Sequence, residues 1–150
     1  MHIWLGFILL FYGFSAQAAE NFILPLESGE EVTVTVYPAT FGQTEKPILI
    51  WFTEGYASRK PYKQLITQLN DEGYTFWQVD LLESYFIERT PTNVRSLSGE
   101  GVAAVLKQAS QQRRAFVPIS TGRMSLVLLR GARLWQISEE PEHGVGNLEQ

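Results

Sequence analysis

The sequence predicts an α/β fold: a mostly parallel, doubly wound sheet preceded by an N-terminal antiparallel hairpin. Three observations predict it. Between Asn21 and Pro38, two arms flank the turn Glu27-Ser28-Gly29-Glu30, and the second arm alternates β-branched residues with the period of a strand. Pro47 to Phe52 and Ala115 to Val117 are short, continuous apolar runs, as expected of strands covered on both faces. Between and after these runs apolar residues recur at helical spacing, so strands and helices alternate along the chain.

The first stretch stands outside that pattern. Met1 to Phe14 is nearly all apolar and is followed by Ser15-Ala16-Gln17-Ala18-Ala19-Glu20, an A-x-A-like cleavage site. The run is short for a membrane span. It reads as a secretory signal peptide over residues 1–18, cut near Ala18, which would export the protein to a periplasm or the medium and leave no stable membrane span. An uncleaved anchor is the other reading of the same residues. The roughly 130 residues that follow suit one domain with a core of its own.

Composition narrows the chemistry. The chain has no Cys, which excludes a disulfide framework, a thiolate nucleophile and a Cys-based zinc site. A net charge of −4, with basic residues scattered apart from Arg113-Arg114, gives no nucleic-acid footprint. No G-x-G-x-x-G follows the first strands, and no His or carboxylate spacing forms a ligand set, so neither a cofactor nor a metal is expected.

In chain order, Asn21–Leu26 and Glu31–Pro38 are the hairpin arms, residues 42–46 a loop, and Pro47–Phe52 a central strand. Tyr62, Leu65, Ile66 and Leu69 lie at helical spacing, stopped by Gly73 as a C-cap. Tyr74 to Leu82 reads as strand, and Glu83 to Leu97 as a polar passage. Ser98 or Glu100 then opens a helix through Val102, Val105, Leu106 and Ala109. The strand at Ala115–Val117 runs into Pro118-Ile119-Ser120-Thr121-Gly122, after which Met124 to Trp135 is a helix. The domain therefore spans residues 19–136, and residues 137–150 form a polar tail.

A strand that delivers Ser120 towards a helix, with Gly122 close behind, has the layout of a nucleophile elbow. The same serine also suits a helix N-cap. Together with the order of elements from Glu20 to Gln136, this stretch resembles the α/β-hydrolase fold family, whose motif is G-x-S-x-G. Pro118 stands in place of the first glycine, and Thr53-Glu54 in place of the family's His-Gly.

The resemblance implies acyl transfer on an ester, thioester or amide. Ser120 would be the nucleophile, with an oxyanion hole from the backbone N–H groups of Thr121 and of Glu54 or Gly55. Asp80 matches a family aspartate that is usually structural. The family places its acid and His after the nucleophile; here only the tail follows, with Glu139, Glu140, Glu142 and His143. A tail without apolar periodicity has nothing to hold the His143 imidazole at the roughly 3 Å reach of proton transfer. Arg123, near the start of the last helix, is a candidate anion-binding residue.

Two expectations result. One is an exported serine hydrolase acting on a small acyl substrate, truncated in this chain. The other is a non-catalytic, degenerate hydrolase-like domain with a binding role or no activity. The fold resembles an incomplete α/β-hydrolase core; if the chain ends at Gln150, its elbow strand lies at an exposed sheet edge open to self-association.

Overall fold

Alternating side chains give one sheet two apolar faces, and the helices divide between them. The computed structural model describes residues 19–41, 45–55 and 59–140. Strands β1 (Glu20–Pro25), β2 (Glu31–Tyr37), β3 (Ile48–Phe52), β4 (Phe76–Val79) and β5 (Phe116–Ser120) form one sheet in the order β1-β2-β4-β3-β5. β1 pairs antiparallel with β2, and β2 antiparallel with β4; β3 pairs in parallel with β4 on one side and β5 on the other. The architecture is thus a mixed α/β sheet with an N-terminal antiparallel hairpin and a parallel core.

The helices are α1 (Lys60–Asp71), α2 (Leu81–Ser84), α3 (Pro91–Ser96), α4 (Glu100–Ser110) and α5 (Met124–Glu139). On one face, Val32, Val34, Ile48, Ile50, Phe52, Trp77 and Val79 pack with Val102, Val105 and Leu106 of α4 and Met124 and Val127 of α5. On the other, Trp51 and Phe76 meet Ile66 of α1, with Tyr62 and Leu69 alongside. Burial on both faces is why β3 is apolar at every position.

Three boundaries differ from the sequence expectation, each for a physical reason. β4 ends at Val79; Asp80 is the N-cap of α2, and Leu81 and Leu82 are buried helix residues rather than strand. A short apolar run marks burial and does not by itself distinguish the two states. The polar passage contains α3, opened by Thr90, whose side chain accepts from Asn93 N at 3.1 Å, with Pro91 in the first turn. α5 continues past Trp135 to Glu139, and residues 136–139 are exposed helix that buries nothing.

Among the described residues, β5 is an edge strand. Ile48 N donates to Ala115 O at 2.9 Å, and Ile48 lies opposite Phe116. By strand alternation the polar groups of 115, 117 and 119 face β3, and those of Phe116, Pro118 and Ser120 face the free edge. Pro118 therefore puts its missing N–H on the open side, a device that blunts edge-to-edge pairing. Val117 and Ile119 remain partly exposed on one face. Pro118→Val restores an edge donor and is expected to increase self-association, read by light scattering; an unchanged mass distribution across a concentration series would contradict this assignment. Among the described residues, no helix is long and apolar enough to cross a membrane.

Candidate functional site

The parallel strands β3, β4 and β5 end at the same side of the sheet. Helix α1 leaves β3 for one face, and α5 leaves β5 for the other, so the crevice between their carboxyl ends is where open α/β sheets bind ligands. Thr53-Glu54-Gly55 follow β3, Asp80 follows β4, and Thr121-Gly122-Arg123 follow β5.

Ser120 is the last residue of β5 and is half-buried. It shares a strand face with Phe116, whose ring meets Trp135 of α5 at 5.7 Å, and its Oγ lies 3.2 Å from Ser125 Oγ in the first turn of α5. Its side chain thus points under the helix. The backbone turns two residues later, at Gly122, which has φ 59°. An elbow carries its nucleophile on the strained turn itself. Here that turn belongs to glycine, which avoids the roughly 1–2 kcal/mol that a left-handed conformation costs an L-residue. A Cβ at Gly122 would sit 3.1 Å from Glu54 Oε1.

Glu54 takes the place that the turn leaves open. Its Oε1 accepts from Met124 N at 2.9 Å and so caps α5, whose N-cap residue Arg123 makes no side-chain cap bond. A carboxylate is favoured there because the helix N-terminus carries unpaired N–H groups and partial positive charge. Gly55 N is likewise engaged, donating to Thr53 Oγ1 at 3.0 Å. Thr121 is exposed on the turn between Ser120 and Gly122. The structure therefore gathers Glu54, Gly55, Thr121 and Arg123 around the end of β3 and β5. It holds Ser120 beneath them. His143 and the 56–58 segment lie outside the described residues, as does the expected signal peptide.

Asp80 has a structural role here. Its Oδ1 accepts from Glu83 N at 3.0 Å and from Arg89 Nη1 at 3.0 Å, while Oδ2 lies 2.7 Å from Arg89 Nη2. The hydrogen bond to Asp80 raises the Arg89 pKa above its ordinary value. Arg89 and Arg59, which the sequence did not single out, join Arg123 in lining a cleft of about 310 Å³, together with Glu54, Leu82, Pro91 and Val94. The three arginines lie far apart in sequence, each in a separate connection between elements, and no spacing rule unites them.

No protein-family model matches the chain, and no curated protein matches it by sequence. Among solved structures, Est1E from Butyrivibrio proteoclasticus matches with a TM-score of 0.50 at 12% identity, over 79% of this chain and 46% of its own. This chain has a partial α/β-hydrolase fold. The chain spans less than half the length of Est1E, and at that identity the likeness concerns the fold. Residue roles in the hydrolase-like domain must therefore be argued from its own atoms, where the elbow turn and the nucleophile candidate do not coincide.

Proposed function

We propose that the domain is a non-catalytic, hydrolase-like binding module. One observation carries the reading: the left-handed residue of the elbow is Gly122, and the α5 N-terminus beside it is already capped by the Glu54 carboxylate. A developing acyl oxyanion is stabilised by donors aimed at it and is repelled by a fixed negative charge in the same place. Ser120 has a second hydroxyl, Ser125, as its hydrogen-bond partner, and a hydroxyl does not serve as a general base near neutral pH.

The second reading is a serine hydrolase acting on an ester, thioester or amide through Ser120. It is favoured by the position of Ser120 at the carboxyl end of a parallel strand in this fold. A fluorophosphonate probe separates the two. On the full chain we expect no labelling of Ser120 by mass spectrometry, and hydrolysis of p-nitrophenyl acetate no faster than that by Ser120→Ala. Stoichiometric labelling of Ser120, or esterase activity that Ser120→Ala abolishes, would overturn the binding-module reading.

A further inference from the structure

We infer that the arginine-lined cleft beyond β3, β4 and β5 binds a small organic anion: one carboxylate or phosphate group on a short apolar body. The inference rests on the non-catalytic reading and gives that module its ligand class.

Arg89 is held ready for such a group. Asp80 contacts both of its terminal nitrogens, at 3.0 and 2.7 Å, and its guanidinium lies across Gly55, where a Cβ would stand 2.5 Å from Nη1. The contacts with Asp80, and a longer approach of Nη2 to Glu83 Oε2 at 3.8 Å, do not use all the N–H donors of a guanidinium, and the side chain is 42% exposed. The order of this arginine is established before any ligand arrives, which lowers the entropic cost of binding.

Arg123 supplies the second cation. It is exposed at the start of α5, and its side chain makes no hydrogen bond or ion pair among the described residues. Arg59 lines the same cleft from the start of α1. Two or more guanidinium groups from separate loops, converging on one concavity, suit the planar, bidentate recognition of carboxylate or phosphate oxygens. Leu82, Pro91 and Val94 line the same cleft and give it an apolar part, though Leu82 and Val94 expose little of their surface. A volume of about 310 Å³ suits a small molecule.

Glu54 sets the threshold for binding. Its carboxylate lines the cleft and bonds Met124 N, so it repels an incoming anion while remaining satisfied itself. Neutralising it removes the repulsion and keeps an oxygen for the cap.

Calorimetric titration of the full chain with phenyl phosphate and with benzoate tests the inference, with phenol as the neutral control. Saturable binding of one or both anions is expected, weakening as salt rises. Arg123→Ala should weaken it about tenfold, the effect of one charge-assisted hydrogen bond. Glu54→Gln should tighten it by roughly threefold to tenfold. Both changes leave the core untouched, and unaltered thermal melts confirm that the variants are folded. The inference is overturned if neither anion saturates, if phenol binds equally well, or if Arg123→Ala has no effect on binding. Its failure is separable from that of the non-catalytic reading: an unlabelled Ser120 with no anion binding sinks only the cleft. A phosphonate-labelled Ser120 with Arg123-dependent binding sinks only the claim that the module is inert.

Discussion

Gly131→Ala is expected to cost about 3 kcal/mol or more of stability, enough to unfold a marginal domain. In an ordinary helix interior the same change stabilises, by up to about 1 kcal/mol, because alanine has the higher helix propensity. The sign reverses here because α4 and α5 approach each other at this residue. A Cβ on Gly131 would lie 2.3 Å from Val102 Cβ, 2.4 Å from Val102 Cγ1 and 2.7 Å from Gly99 O. Carbon atoms pack best at roughly 3.5–4.0 Å, so the overlap is too deep for small adjustments. Valine in a helix is stiff at χ1, and a backbone oxygen does not rotate away.

Relief requires α5 to move as a body, and α5 carries Met124 and Val127 in the core and Trp135 against Phe116. Urea denaturation followed by circular dichroism would measure the loss. The double variant Gly131→Ala with Val102→Ala should recover part of it, since the clash needs both side chains. A stabilised Gly131→Ala protein would show that the two helices do not touch at this point in solution.

How legible the fold was depended on whether a local pattern had one physical meaning. The alternation in β2 has one, and so does the i, i+3, i+4 spacing of Tyr62, Leu65, Ile66 and Leu69, which falls on α1. Leu81 and Leu82 have two: their apolar character records burial, which a strand end or a helix start would satisfy equally. Thr90 and Pro91 did carry a helix-start signal, but α3 buries only Val94 and shows too little periodicity to stand out from its polar surroundings.

The candidate site was legible in its loops more than in its register. Attention falls on Ser120 because the hydrolase motif names a serine, whereas the turn demands a left-handed residue, and Gly122 is the one that meets that demand. At Glu54 the resemblance points to the backbone N–H, whereas the contact the structure shows is made by the side chain, which accepts from Met124 N. Side-chain direction in a loop has no sequence period. Arg59 and Arg89 were missed for a related reason: convergence of three loops at one sheet end follows from topology, and only the strand order β4-β3-β5 brings those loops together.

Asp80→Ala is expected to destabilise the domain by about 2 kcal/mol and to disarm the cleft as well. Two contributions are lost together. The first is the N-cap of α2, the bond from Glu83 N, worth about 1 kcal/mol. The second is the two-pronged contact with Arg89. Asp80 is 9% exposed, whereas Arg89 is 42% exposed, so water screens the pair, and its contribution is closer to the roughly 1 kcal/mol of a surface bridge than to that of a buried one. Asp80→Asn divides the two effects. Asparagine caps helices nearly as well as aspartate, so α2 should stay in place with Leu81 and Leu82 in the core, and about half the stability loss should remain. The charge that orients Arg89 is gone in both variants, and with it the fixed geometry of the guanidinium; each variant also removes a carboxylate from beside the cleft, so anion binding should weaken less than the loss of order alone would give, while only alanine frays α2. Denaturant midpoints together with binding titrations of the two variants read this out. If Asp80→Asn matched the wild type in both measurements, the ion pair would be incidental, and the order of Arg89 would have to come from its packing across Gly55 alone.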